Sequence, residues 1–221
     1  MGAKQYWKIG LFLAGVFSIT AAGQKSAPME ISIVTYDAAH IGPKTLAQAE
    51  RLAGTILRTA AIRSKWEAGE ARDLANLRLD FTAYSAKECE ANTPSLLRLQ
   101  ILPRAPVGLS PNTLGFSLPC ARSGVQVTIY PDHVAKVTET GGPTFGRVLG
   151  YAMAHELGHM LLQSGTHAPA GLMKGIWSKT DWQRAAVSVI EFSPAQVQQI
   201  AALHERTAAV DIAQLASLTP R

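Results

Sequence analysis

The sequence is poor in cysteine and carries only a small excess of charge of one sign. Its two cysteines among 221 residues are too few for a disulfide-dense mini-protein and too few for a four-thiolate zinc site. It lacks an internal repeat at periods of about 20–50 residues, which argues against a solenoid or propeller. Basic residues outnumber acidic ones by 21 to 16 but are scattered along the chain. We therefore expect no nucleic-acid partner.

What the sequence does contain is typical of one folded domain. Hydrophobic residues make up 47% of the chain, and its 18 glycines and 12 prolines exclude a collagen-like or wholly disordered protein. At about 100–200 residues per domain, the length predicts a single domain with a sizeable core.

The N-terminus has the order of a secretory signal peptide. Lys4 and Lys8 precede a charge-free, mostly apolar run over residues 9–22, and small residues follow around Gly23. The run is shorter than the roughly 20 residues of a membrane-spanning helix, although an uncleaved anchor is the alternative. The pattern predicts a signal peptide at residues 1–23.

Cleavage after the signal peptide would leave residues 24–221 as the mature domain, with a candidate flexible tail at about 210–221. We expect this domain to be secreted or periplasmic and to have no stable membrane anchor. Export to an oxidising compartment would allow Cys89 and Cys120 to form a disulfide across a loop of about 30 residues. Two separate buried thiols are the alternative.

Hydrophobic periodicity predicts an α+β fold. A β-branched run at residues 31–36 is typical of a strand, and apolar residues at helical spacing over residues 45–66 predict a long helix starting near Pro43. We expect a mixed twisted sheet with this helix after its first strand, then a second long helix and C-terminal helices. The other predicted strands are residues 77–84, 97–102, 114–118 and 125–130, and the later predicted helices are 132–138, 144–164, 180–189 and 195–209.

The second long helix carries the residues with the clearest chemistry, the H-E-x-x-H motif from His155 to His159. Four residues make about 1.1 helical turns, so both imidazoles project from one face and can bind one metal ion. Glu156 lies about 100° around the helix and can act as a general base without ligating the metal. The motif predicts zinc-dependent hydrolysis, in which the metal acidifies water and polarises a carbonyl. Two imidazoles on an ordinary core helix are the structural alternative.

A catalytic zinc needs a third protein ligand. His167 is the leading candidate because it follows the expected end of the helix near Gly165, where a turn can return the chain to the metal. Asp181 and Glu191 remain open as carboxylate alternatives. Imidazole ligands favour Zn²⁺, although Ni²⁺ and Fe²⁺ are also compatible with them.

The segment from His155 to Met173, HELGHMLLQSGTHAPAGLM, resembles the zinc-binding segment of metzincin-type zincin metalloproteases. The resemblance implies that His155, His159 and His167 are the ligands of one Zn²⁺ per chain, that Glu156 is the general base, and that Met173 is the Met-turn residue. This sequence departs from the clan pattern because Gly165 stands where the third histidine belongs, and His167 comes two residues later. Much of residues 30–205 is also similar to small exported bacterial proteins described as zinc-dependent proteases.

The resemblance implies a zincin-like fold and an exported zinc-dependent endopeptidase that acts on peptides or proteins. We expect the substrate to lie beside an edge strand, which is either residues 114–118 or residues 125–130. Two other functions stay open. One is an inactive exported module that binds zinc or a partner, which the presence of Glu156 disfavours; the other is a zinc hydrolase of a non-peptide substrate.

Overall fold

The computed structural model describes residues 28–70, 95–121, 124–139 and 142–217. Within them, the chain builds a five-stranded mixed sheet, and the helices Pro43–Thr59 and Phe145–Leu162 pack against it. The strands are β1 (Met29–Asp37), β2 (Ile62–Ala68), β3 (Leu96–Ile101), β4 (Gly115–Ser117) and β5 (Val127–Ile129), and the helices are α1 (Pro43–Thr59), α2 (Pro131–Thr138), α3 (Phe145–Leu162), α4 (Lys179–Val187) and α5 (Pro194–Ser217). The predicted α+β class and mixed sheet are confirmed.

The sheet has the strand order β2-β1-β3-β5-β4. All neighbouring strands run parallel except β4, which pairs antiparallel with β5 and forms one edge of the sheet. Of the two candidate edge strands, the one at residues 114–118 therefore lies at the edge. The one at residues 125–130 pairs with a neighbouring strand on each side. The inward-facing residues of β1, β3 and β5 are almost completely buried, as expected where helices cover a parallel sheet.

Helix α3 crosses the core beside α1, and glycines make this close approach possible. A side chain at Gly150 would meet the backbone oxygen of Ala49 at 2.8 Å, and one at Gly146 would meet the side chain of Gln48 at 2.6 Å. These two glycines are four residues apart and so share one face of α3. Almost every residue of α3 is buried, which explains its high hydrophobicity on all sides.

The predicted helix over residues 45–66 is wrong in its last turns. Helix α1 ends at Thr59, Ala61 adopts a left-handed conformation with φ 58°, and β2 follows at once. Parallel pairing with β1 brings Ile62 opposite Met29 and buries the Ile62 side chain. The chain forms a strand from Ile62 because the alternating pattern of these residues fits the edge of the sheet. A longer helix would carry Ile62 away from the core.

Several predictions fall outside the part of the chain that the structure describes. They are the signal peptide at residues 1–23, the strand at residues 77–84, and Cys89. Cys120 is described and buried, and its pairing with Cys89 stays a prediction. Among the described residues, no helix combines the length and the apolar character needed to cross a lipid bilayer.

Candidate metal centre and active site

The H-E-x-x-H motif lies on the C-terminal half of α3, with its two histidines one turn apart. The Nε2 atoms of His155 and His159 approach each other to 3.2 Å. Each ring is held from behind, because Nδ1 of His155 lies 2.8 Å from the carbonyl oxygen of Leu172, and Nδ1 of His159 lies 2.7 Å from that of Ser164. A carbonyl oxygen only accepts, so each Nδ1 must donate its proton.

This pattern of hydrogen bonds sets the tautomer of both rings. A neutral imidazole that donates from Nδ1 has an unprotonated Nε2, so two lone pairs face each other across 3.2 Å. Such a contact is repulsive unless a cation lies between the two nitrogens. Holding the remote nitrogen with a backbone carbonyl is also how proteins orient histidine ligands of metals.

The chain turns back toward these rings directly after α3. The helix ends at Leu162, and Gln163 takes the left-handed conformation with φ 50°. The helix thus ends shortly before the predicted end near Gly165. The amide of Ser164 donates to the carbonyl oxygen of His159 at 3.1 Å, which closes the helix end. The turn aims the following residues at the open face of the two imidazoles.

His167 completes a cluster of three imidazoles. One ring nitrogen from each of His155, His159 and His167 lies within 4.8 Å of the others. His167 stacks on His155 at a centroid distance of 5.3 Å and meets His159 edge-on at 4.9 Å. Tetrahedral coordination at about 2.0–2.1 Å would separate ligand nitrogens by about 3.3 Å, close to the observed separation of the first two. The three residues therefore fit a zinc ion.

Burial keeps the two helical histidines neutral. The pKa of His155 is lowered to about 4, chiefly by burial and also by the neighbouring His159 and His167, against the opposing hydrogen bond to the carbonyl oxygen of Leu172. Burial also lowers the pKa of His159, against the hydrogen bond to Ser164. A metal ligand must be deprotonated, so both rings are ready to bind at neutral pH.

Glu156 lies inside the protein beside the three histidines and is only 8% exposed. Its Oε2 accepts a hydrogen bond of 2.8 Å from the hydroxyl of Ser117 on β4. Burial raises the pKa of Glu156 to about 7, and the hydrogen bond from Ser117 acts in the opposite direction. A carboxyl group with this pKa can both take and return a proton near neutral pH.

Met173 lies directly against α3 and is completely buried. It packs beside Gly158, the glycine of the motif, where there is no room for a side chain. The amide of Ala168 donates to the carbonyl oxygen of Met173 at 2.7 Å, which closes the loop that carries His167. The position suits the Met-turn role, which remains a prediction.

We expect Gly158→Ala to destabilise the protein by about 1–3 kcal/mol, although alanine in place of glycine normally stabilises a helix. The added methyl group would overlap Met173 Sδ and would lie 2.9 Å from Phe192. Urea unfolding of metal-free protein measures this. Gly165→Ala is the matched control, since a side chain there meets nothing within 4 Å. A Gly158→Ala protein as stable as wild type would contradict the close contact of Gly158 with Met173 and Phe192.

The two carboxylate alternatives for the third ligand lie elsewhere. Asp181 forms a capping box with Ser178, the N-cap residue of α4, and pairs with Lys174, whose Nζ lies 2.5 Å from its Oδ2. These hydrogen bonds lower the pKa of Asp181 to about 2. Glu191 is exposed, and its backbone oxygen accepts from Leu172. Among the described residues, the only metal-compatible group of three or more such side chains is the three-histidine cluster.

A cleft of about 610 Å³ opens over His155, Glu156, His159 and His167. Its size is ordinary for a binding site. One wall consists of aromatic rings in contact, with Trp177 4.5 Å from Trp182 and 5.1 Å from Tyr151 between centroids. Trp177 and Trp182 thus pack against each other and also line the cleft. Other residues along it include Leu114, Phe116, Val137 and Ile176.

Sequence reasoning missed several residues that shape this site. Ser117 and Gly115 contact Glu156 from a short strand in which nothing marks them as functional. Gly175 lies against the His167 ring, where a side chain would come within 2.9 Å of Cγ. A G-x-S pattern on a predicted edge strand is a weak signal that becomes meaningful only once the neighbouring carboxylate is known.

Comparison with known proteins gives similarity at the level of structure. No protein-family model matches the sequence, and curated proteins give no match either. One similar solved structure is metalloproteinase-II from Bacteroides fragilis, with 11% identity and a TM-score of 0.48 over 80% of this chain and 53% of that one, so this chain spans about half its length.

Two further solved structures are similar over most of both chains. Archaemetzincin from Methanopyrus kandleri has 15% identity and a TM-score of 0.46, covering 82% of this chain and 98% of that one. A zinc-dependent peptidase from Methanocorpusculum labreanum has 12% identity and a TM-score of 0.47, covering 76% and 99%. Sequence identities of 11–15% and TM-scores of 0.46–0.48 assign no function to this chain.

Proposed function

We propose that this protein is a zinc-dependent endopeptidase with one Zn²⁺ per chain, held by His155, His159 and His167. The observation that carries the proposal is the convergence of three imidazole nitrogens, two of them with lone pairs 3.2 Å apart, beside a buried carboxylate in an open cleft. A structural zinc site usually has four protein ligands, whereas three ligands at a cleft leave a position for chemistry.

Zinc in such a site supplies Lewis acidity, which acidifies water and polarises a carbonyl group. Glu156 takes the proton of the attacking water and returns it to the leaving amine. Its Oε2 is engaged by Ser117, and no other hydrogen bond to this carboxylate is found in the described ranges. Oε1 is thus the oxygen that accepts the proton. The carbonyl oxygens of Leu172 and Ser164 hold the two helical imidazoles in their ligating orientation.

The cleft favours an extended peptide with large apolar side chains. Strand β4 forms a sheet edge along the cleft and offers backbone groups to which an extended chain can pair. The aromatic wall of Tyr151, Trp177 and Trp182 offers apolar surface. The hydroxyl of Tyr151 donates its hydrogen bond to the carbonyl oxygen of Ser188. The cationic group of Lys174 is neutralised by Asp181.

Digestion of a diverse peptide library by zinc-loaded mature protein tests the proposal. We expect cleavage that a chelator stops and added zinc restores, with bulky apolar residues enriched next to the cleaved bond. Zinc binding without any cleavage would favour the alternative of an inactive exported zinc-binding module. Cleavage of a non-peptide amide alone would favour a different zinc hydrolase.

The protein is proposed to act outside the cytoplasm, in the periplasm or the medium. The support is the signal-like pattern of residues 1–23, with two lysines before a charge-free apolar run. Cell fractionation and N-terminal sequencing of the mature protein test this, and a chain retained whole in the cytoplasm would contradict it.

A further inference from the structure

The carboxylate of Glu156 is clamped by two residues of the edge strand. Gly115 and Ser117 are two positions apart on β4, so they lie on the same face of the strand. The stem of Glu156 crosses Gly115, where a side chain would come within 2.7 Å of Glu156 Cγ. The head of Glu156 meets Ser117, whose hydroxyl donates to Oε2 at 2.8 Å.

We propose that Ser117 is a positioning residue for the general base of the reaction. The proposal rests on the proposed function and adds a residue of another element to the site. Ser117 holds one carboxylate oxygen by a hydrogen bond, while Gly115 leaves room for the stem to lie flat against the strand. Together they select one orientation of the Glu156 side chain, in which the other oxygen is left for the water proton.

This clamp matters because, among the residues that the structure describes, the hydroxyl of Ser117 supplies the one hydrogen bond found to the Glu156 carboxylate. A buried carboxylate without a hydrogen bond can rotate about its last two side-chain bonds, and an error of about 1 Å at a reacting group can cost on the order of 100-fold in rate. The clamp also ties the general base to the strand along which the peptide is proposed to lie. The antiparallel pairing of Ser117 with Val127 holds the strand itself in place.

The test compares Ser117→Ala with Ser117→Thr, which keeps a hydroxyl. On a fluorogenic peptide chosen from the library digest, we expect Ser117→Ala to lower kcat by about 10- to 100-fold with KM and zinc content unchanged. Ser117→Thr should recover most of kcat. Ser32→Ala, which removes a half-buried hydroxyl from β1, is the matched control and should behave as wild type.

A second measurement detects the hydrogen bond between Ser117 and Glu156 in the absence of catalysis and of metal. In metal-free protein with isotope-labelled glutamate, the infrared carboxylate band that Glu156→Gln removes should shift in Ser117→Ala and return in Ser117→Thr. An unshifted band, or a Ser117→Ala protein with wild-type kcat, would overturn the proposal. So would a loss confined to KM or to zinc content. If wild type cleaves no peptide, the proposed function fails, and the infrared result still decides whether the clamp exists.

Discussion

Replacing His167 with alanine will weaken zinc binding by more than about 100-fold. Removing a residue that only hydrogen-bonds to a metal ligand costs about 10- to 100-fold in affinity, and loss of a ligand itself should cost more. His167 supplies the third ring nitrogen of the cluster, and only two imidazoles remain without it. Isothermal titration or metal analysis after dialysis against a competing chelator measures the change. Wild type should retain one zinc per chain.

The matched control for this variant is His204→Ala, which removes an imidazole on α5, outside the cluster. It should leave zinc affinity as in wild type, and so should Glu191→Ala. Zinc retained by His167→Ala but lost with Glu191→Ala or Asp181→Ala would show that a carboxylate is the third ligand. Wild-type protein without any zinc would make the three-histidine cluster a feature of packing alone.

Replacing Glu156 with glutamine will lower kcat/KM for peptide hydrolysis by about 10²–10⁴-fold while zinc binding persists, because glutamine cannot take a proton from water. The substitution keeps the size of the side chain. It also keeps an oxygen that can accept the hydrogen bond from Ser117. We therefore expect the fold and the histidine cluster to survive.

Kinetics on a selected fluorogenic peptide, with metal analysis of the same sample, check this result. Glu50→Gln is a suitable control, since Glu50 is a partly buried glutamate that also accepts a hydroxyl hydrogen bond, at 3.3 Å from Thr35. It lies on α1 and should keep wild-type hydrolysis. Peptide cleavage that persists at the wild-type rate in Glu156→Gln would show that another group is the base.

Most of the element order was predictable because the core depends on periodic apolar residues. The first strand, the strand at β3 and the helix α3 follow from patterns that one can read in the chain. The end of α1 was missed because alanines at positions 60 and 61 carry no signal that stops a helix. Only the pairing of β2 with β1 decides that the chain becomes a strand at Ile62.

In the candidate metal site, the local part was predictable, whereas His167 was only the leading one of three candidates for the third ligand. His155, Glu156 and His159 follow from helix geometry, since spacing along a helix determines which side chains share a face. The position of His167 depends on the left-handed turn at Gln163. Glutamine is not a residue type that predicts this conformation.

The sequence by itself thus determined the α+β class, the helix that carries the motif and the likeness of residues 155–173 to a zinc-binding segment. The tertiary structure alone brings the ring of His167 to the two helical histidines, and it engages the carboxylate of Asp181 with Lys174 and Ser178. It also brought Ser117 to Glu156 across 39 positions of sequence. The reason is physical: periodicity is a property of neighbours along the chain, whereas a site is made where distant segments meet.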